Sequence, residues 1–245
     1  MPKRLLWACT LLLWATPLRA ATLDPKELVR RIETQYQAGT SHGVAKMTIV
    51  TAQYTRELRL EVWGRGRDDM LARILSPVKE AGISTLKVGD AIWNYLPRID
   101  KLMKVPSGLM GEGWMGSHFT NDDLVKENKI DELYTFTVAY ADDTTAVITG
   151  TPKPDAAVVW GRIEYVLNHV QLTPIRVDYY DEDGVKARQS RFSDIRSVNG
   201  RQIPMRSVIE PLDKPGERTE FSYESLEFDV KLDAQQFSLQ NLRRR

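Results

Sequence analysis

The feature that most constrains the fold is a strict alternation of apolar and charged residues in residues 57–62, ELRLEV. Successive side chains of a β-strand point to opposite faces, so this alternation is typical of a strand with one buried and one solvated face. Similar strands are predicted over residues 44–53, 70–76, 83–88, 91–96, 134–141, 145–151, 161–168, 174–180, 186–195, 202–210 and 217–232.

Turn signals separate these strands. Asp183-Gly184 and Asn199-Gly200 are hairpin dipeptides, and Gly89 marks a further turn. We therefore expect one α+β, mainly β domain over residues 21–245, built on a single antiparallel sheet. A sheet of this length curls rather than staying flat, so an incomplete β-barrel is predicted.

One helix is predicted at the start of this domain. Asp24 can cap it, Pro25 suits its first position, and Leu28, Ile32 and Tyr36 repeat every four residues. A curled sheet has a concave face that must be covered. We expect this helix and a central helical or loop segment near residues 107–128 to close it, leaving a mostly apolar cavity.

A change of phase predicts an irregularity in the last strand. Phe221 and Tyr223 occupy odd positions, whereas Leu226 and Phe228 occupy even ones. A pleated strand cannot switch faces without an extra residue. A bulge or break is therefore predicted near residues 224–226.

The N-terminus has the layout of a secretory signal peptide. Lys3 and Arg4 precede an apolar stretch over residues 5–15, which is too short to cross a bilayer as a helix. We predict cleavage after Ala20 and a periplasmic location. The single cysteine, Cys9, lies inside the apolar stretch, which argues against lipid modification, and its loss leaves no possible internal disulfide.

Charge and residue spacing exclude several classes of function. Loss of residues 1–20 changes the formal charge from +1 to −2, which gives no electrostatic basis for nucleic-acid binding. The histidines, His42, His118 and His169, lack the spacing of a metal site. No phosphate-binding glycine loop is present, so neither a metal nor a cofactor is expected.

Ser117 and His118 are the residues that could suggest hydrolysis. Neighbouring side chains on a strand point apart, and no Gly-x-Ser-x-Gly elbow surrounds Ser117. The acids Asp122 and Asp123 fit the first turn of a short helix capped by Thr120 or residue 121. We therefore expect no catalytic residues and no enzyme activity, and keep a hydrolase using Ser117 and His118 as an alternative.

Four segments carry a resemblance to a known family. They are residues 91–97 (AIWNYLP), 101–105 (KLMKV), 115–124 (MGSHFTNDDL) and 232–237 (LDAQQF). Together they resemble the outer-membrane lipoprotein-sorting proteins, the LolA-like periplasmic carriers, over roughly residues 24–242. His118 stands where that family usually has an aspartate.

The resemblance implies a half-barrel, closed by helices over a hydrophobic cavity, that carries lipid or lipoprotein acyl chains toward the outer membrane. It also implies a monomer that contacts an inner-membrane transporter and, transiently, a membrane. An envelope adaptor that docks a transporter partner is the main alternative, and a filled interior would favour it. His118 would act as a pH-sensitive latch, and the residues expected to line or gate the cavity are Trp93, Tyr95, Leu109, Met110, Trp114, Met115 and Phe119.

Overall fold

The computed structural model describes residues 24–35, 38–126 and 129–243. The predicted signal peptide and its cleavage site after Ala20 lie outside these residues, as does Tyr36. Within them, no helix is long and apolar enough to span a membrane.

Thirteen strands occur in the described part of the chain. They are β1 (Ser41–Val50), β2 (Thr55–Arg65), β3 (Asp69–Ser76), β4 (Ser84–Val88), β5 (Ala91–Leu96), β6 (Lys101–Lys104), β7 (Tyr134–Ala141), β8 (Thr145–Pro152), β9 (Arg162–Asn168), β10 (Thr173–Tyr180), β11 (Lys186–Val198), β12 (Arg201–Pro211) and β13 (Arg218–Phe228). The α-helices are α1 (Pro25–Thr34), α2 (Asn121–Lys126), α3 (Ile130–Leu133) and α4 (Leu239–Leu242).

All thirteen strands form one antiparallel sheet in the order β6-β5-β4-β3-β2-β1-β13-β12-β11-β10-β9-β8-β7. Every strand pairs with its neighbours in the chain except β6 and β7, and β1 also pairs with β13, which joins the two halves of the chain. The edge strands β6 and β7 do not pair with each other, so the sheet is not closed into a barrel. The predicted mainly β, open-barrel fold class is confirmed.

Local chemistry accounts for the turns and for most strand ends. Asn199 and Gly200 have φ values of 48° and 78°, the double positive φ of a type I′ hairpin. β13 ends at Phe228 instead of residue 232, because Asp229 takes a φ of 58° and donates its N–H to the Thr40 carbonyl. The four-residue β6 was not among the predicted periodic segments, since it is too short to display a period.

The predicted irregularity in the last strand is confirmed. Val44 pairs with Ser225, but the next residue, Ala45, pairs with Tyr223. Glu224 is therefore the extra residue of a β-bulge, and the bulge produces the change of phase seen in the sequence.

Helix α1 forms as its capping residues predict. The Asp24 carboxylate accepts hydrogen bonds from the Lys26 and Glu27 N–H groups at 3.0 and 3.3 Å. The helix buries Leu28 and Ile32, together with Val29, against the sheet. These residues belong to a core cluster with β7 to β10 and α3.

A second core cluster lies under residues 107–126, which we call the cover segment. Trp114 packs there with Met47, Leu60 and Ile74 of the first three strands. We call the face of the sheet under α1 and the cover segment the inner face. A third cluster, including Leu71, Phe237 and Leu242, lies on the outer face, where α4 contacts β4.

Candidate functional site

A cavity of about 320 Å³ lies on the inner face, where the two inner clusters meet. Ile32 of α1 and Trp114, Phe119 and Leu124 of the cover segment border it. The sheet supplies the rest of its apolar wall, principally Val62, Met70, Val177, Phe192, Pro204, Met205 and Phe221.

Polar groups concentrate near the β2–β3 turn at the cavity. Arg67 of this turn and Asp69, the first residue of β3, line the cavity together with Glu33 of α1 and Lys87 of β4. The Tyr165 hydroxyl donates a hydrogen bond to Glu33 at 2.8 Å. The cavity therefore combines a long apolar wall with a charged region.

Lys87 is the most unusual of these polar residues, because only 1% of its surface is exposed. Its Nζ donates a hydrogen bond to the Arg67 carbonyl at 2.8 Å. Burial lowers the pKa of the Lys87 ammonium group from its ordinary value. Lys87 was not identified as a site residue from the sequence. Alternation along β4 places it on the same face as Thr85, and this more polar face would be expected to face solvent.

Trp114 is fixed in the cavity wall by a buried hydrogen bond. Its Nε1 donates to Thr85 Oγ1 at 3.0 Å, and the Thr85 hydroxyl donates to Asn94 at 2.7 Å. The next residue, Met115, has a φ of 52° and turns the chain sharply. The indole is thus a rigid part of the wall.

The cover segment is attached to the sheet at two places by polar contacts. In the middle of the segment, Arg56 donates to the Met115 carbonyl at 2.7 Å and pairs with Glu80. His118 lies beside them, with Nδ1 2.9 Å from Thr219 Oγ1 and Nε2 3.2 Å from Glu217.

The second attachment is a buried ion pair in α2. Asp123 accepts two hydrogen bonds from Arg188 of β11, at 2.6 and 2.9 Å. The Arg188 guanidinium also stacks over the rings of Tyr179 and Trp160, at 4.1 and 4.7 Å. Sequence reasoning assigned Asp123 to the first turn of a helix and contained no signal for its partner 65 residues away.

The residues expected to line or gate the cavity lie in four different surroundings in the structure. Trp114 and Phe119 line the cavity. Met115 packs against the same cluster, whereas Leu109 is half exposed and, with Met110, lies in the cover segment away from the lining residues.

Trp93 and Tyr95 share one face of β5, as their spacing predicts, but that is the outer face. Both belong to the cluster with Phe237 and Leu242, and the Tyr95 hydroxyl donates to Asp100 at 2.9 Å. They lie away from the cavity because they pair with Leu86 and Ser84, opposite the face that carries Thr85.

Ser117 and His118 make separate contacts. Ser117 Oγ accepts the Phe119 N–H at 3.1 Å, while the His118 ring meets Thr219 and Glu217. Across the described ranges, no group of three His, Cys, Asp or Glu residues could hold a metal ion.

Several solved structures share this fold. An outer membrane lipoprotein-sorting protein domain from Vibrio parahaemolyticus has a TM-score of 0.78 at 18% identity, covering 89% of this chain and 98% of the other. A DUF1329 family protein from Desulfovibrio piger has a TM-score of 0.80 at 20% identity, covering 89% and 97%. A LolA superfamily protein from Nitrosomonas europaea has a TM-score of 0.72 at 16% identity, covering 90% and 100%.

The fold is therefore LolA-like, and the resemblance found in the sequence is confirmed at the level of the fold. A family model described as "Uncharacterized protein" matches residues 66–244, more than half of the chain, and the chain belongs to that family. A comparison with curated proteins finds no match.

Proposed function

We propose that the protein is a non-catalytic periplasmic carrier that binds a lipid, or the acyl chains of a lipoprotein, in the inner-face cavity. The observation that carries this proposal is the apolar cavity between α1 and the cover segment. Burying an alkyl chain gains about 0.8 kcal/mol per CH₂, so a mostly apolar cavity wall favours an acylated ligand over a polar one.

The size of the cavity limits the ligand that fits without rearrangement. A volume of about 320 Å³ lies near the lower end of the range of roughly 300–1,000 Å³ seen for small-molecule sites. A cavity of this volume accommodates one alkyl chain better than several. A cargo with more chains requires the cover segment to move, which means releasing its polar contacts with Arg56, Thr219 and Arg188.

The alternative of an envelope adaptor predicts an inner face filled by side chains. The cavity supports the carrier instead. Cargo would come from an inner-membrane transporter and pass on toward the outer membrane, with the carrier acting as a monomer that touches the membrane only transiently. The lipoprotein-sorting name of one structural neighbour is in keeping with this direction of transfer.

Binding of a fluorescent fatty acid to delipidated protein tests the proposal. We expect saturable binding with one site per chain. The Phe119→Asp variant should weaken it at least about tenfold, because the new carboxylate would be desolvated in the cavity wall.

The matched control is Leu109→Asp. It places the same charge in the same segment at a half-exposed side chain that does not line the cavity, so binding should be unchanged. Urea unfolding of both variants separates loss of binding from loss of structure. Absence of saturable binding by the wild-type protein would contradict the carrier function.

A further inference from the structure

The buried ammonium group of Lys87 is the observation that leads beyond a purely apolar ligand. Lys87 lies in the cavity wall with 1% of its surface exposed. A buried charge is costly unless an opposite charge compensates it. Among the described residues, no ion pair includes Lys87, and its hydrogen-bond acceptor is the uncharged carbonyl of Arg67.

The acids nearest to Lys87 are bound to other cations. Asp69 accepts hydrogen bonds from Arg65 at 2.6 and 2.8 Å. Asp68 and Asp90 both pair with Lys129, at 3.3 and 2.9 Å. The acid on the cover-segment side of the cavity, Asp123, is held by Arg188. These four carboxylates are thus already compensated, and Glu33, the acid that α1 contributes to the cavity, accepts a hydrogen bond from the Tyr165 hydroxyl at 2.8 Å.

The arrangement of the lining places this cation beside the apolar wall. Lys87 pairs with Met70 across β3 and β4, and Met70 also lines the cavity. Val62 and Trp114 continue the apolar surface from there. An alkyl chain on this surface would bring a terminal head group toward the β2–β3 turn.

We infer that the cavity is built for an amphiphile with one anionic head group, a carboxylate or a phosphate, whose charge is bound by the Lys87 ammonium group. The alkyl chain lies along the apolar wall between α1 and the cover segment. This inference rests on the proposed carrier function and narrows its cargo to anionic single-chain lipids. The anionic head group of the ligand thereby supplies the counter-charge that Lys87 lacks among the described residues.

Calorimetric titration of the delipidated full-length mature protein with dodecanoate, dodecyl phosphate and dodecanol tests the inference. The three probes share a twelve-carbon chain, and each is used below its micelle concentration. We expect at least one of the two anions to bind about tenfold or more tightly than the alcohol, as for a charge-assisted hydrogen bond. The better of the two anions identifies the head group as a carboxylate or a phosphate.

Substitution of Lys87 supplies the second arm. Lys87→Met keeps the length of the side chain and removes its charge, so the anion should lose about tenfold in affinity while dodecanol binding is unchanged. Lys87→Arg should retain the preference for the anion. Lys231→Met, at an exposed lysine outside the cavity, should change neither.

The outcomes distinguish the two proposals. Equal binding of anions and alcohol by the wild-type protein overturns the Lys87 inference and leaves the carrier function standing, because the cavity would then bind the alkyl chain whatever its head group. No binding of any probe overturns both. The comparison of probes on the wild-type protein decides the matter even if a Lys87 variant does not fold.

Discussion

At the scale of single residues, the contacts of His118 define what this residue can do. Its backbone N–H donates to Thr219 Oγ1 at 2.9 Å, and its ring Nδ1 lies 2.9 Å from the same hydroxyl. If the Thr219 hydroxyl donates to Nδ1, then Nε2 carries the proton and donates to Glu217. A neutral His118 therefore satisfies both contacts, and its role as a pH-sensitive latch stays a prediction.

Glu217 is the partner whose titration is altered. It accepts hydrogen bonds from the Ala52 N–H and from His118, and these lower the pKa of its carboxyl group below the ordinary value of 4.5. A carboxylate with a lowered pKa in the folded state stabilises the protein above its unfolded-state pKa. That contribution disappears as pH falls through the folded-state value.

We therefore expect the stability cost of Glu217→Gln to depend on pH. The difference in unfolding free energy between wild type and Glu217→Gln should be largest above about pH 5.5 and shrink as pH falls below 4.5. Urea unfolding from pH 3 to 7 measures it. Asp155→Asn, at an exposed loop position, is the control and should show no such trend. A cost that stays constant over this range would contradict the prediction.

At the scale of elements, α2 illustrates how one residue can serve three purposes. Thr120 Oγ1 accepts the Asp123 N–H at 3.0 Å, and Asp123 accepts the Thr120 N–H at 2.8 Å, which is a reciprocal capping arrangement. The same carboxylate binds Arg188 and lines the cavity. Asp123 therefore caps the start of α2, attaches the cover segment to β11 and forms part of the cavity wall.

Asp123→Asn should loosen the cover segment. It leaves the buried Arg188 without its counter-charge, and we expect a loss of about 3 kcal/mol in unfolding free energy. Amide hydrogen exchange should rise in residues 110–126 before it rises in the sheet.

The control for this prediction is Asp122→Asn. Asp122 forms an i,i+4 pair with Lys126 on the same helix, and breaking it should cost about 0.5 kcal/mol or less. Equal costs for the two variants would show that the Arg188 pair does not hold the segment in place.

At the scale of the whole molecule, β13 is the strand that joins the two halves of the sheet. It lies between β1 and β12, and so connects the hairpins of the N-terminal half to those of the C-terminal half. The bulge at Glu224 lets its two parts bury different sets of side chains. Phe221 packs on the inner face beside Phe119, and Phe228 is buried in a cluster with Ile203 and Met205.

Deleting Glu224 should therefore disrupt more than one side chain. Without the extra residue, one part of β13 must shift its register by one position, which turns its side chains to the opposite face. Loss of Phe228 burial alone corresponds to about 3–5 kcal/mol, and we expect a fall of at least this size in unfolding free energy.

Deletion of Asp155, in the exposed connection between β8 and β9, is the matched control. A one-residue change in such a loop should cost under about 1 kcal/mol. If removing Glu224 cost no more than this, the bulge would not be required for the fold.

Most of the secondary structure follows from local sequence. Twelve of the thirteen strands, the Asn199-Gly200 hairpin, the start of α1 at Asp24 and the bulge at Glu224 were predicted, whereas the four-residue β6 was not. Each of them depends on interactions within a few residues: alternation along a strand, positive φ at a turn, or a side chain capping its own helix. Such features require no knowledge of distant parts of the chain.

The candidate site depends on long-range packing. Alternation established that Trp93 and Tyr95 share a face, but the C-terminal segment with Phe237 covers that face, so the two rings lie outside the cavity. The same alternation grouped Lys87 with the polar residues of its strand. The folded chain places that face in the cavity wall, where Trp114 of the cover segment hydrogen-bonds Thr85 and the ammonium group of Lys87 is buried.

The sequence by itself thus determined most of the strands, the first helix and the hairpin turns, because period and capping are local properties of a chain. The tertiary structure decided which face of each strand is inner and which is outer. It also brought β1 beside β13, Asp123 to Arg188, and a buried lysine to an apolar cavity. Contacts between segments far apart in the chain decide which face of a strand is buried. Alternation with a period of two residues shows which side chains share a face, but it is the same whichever face is covered.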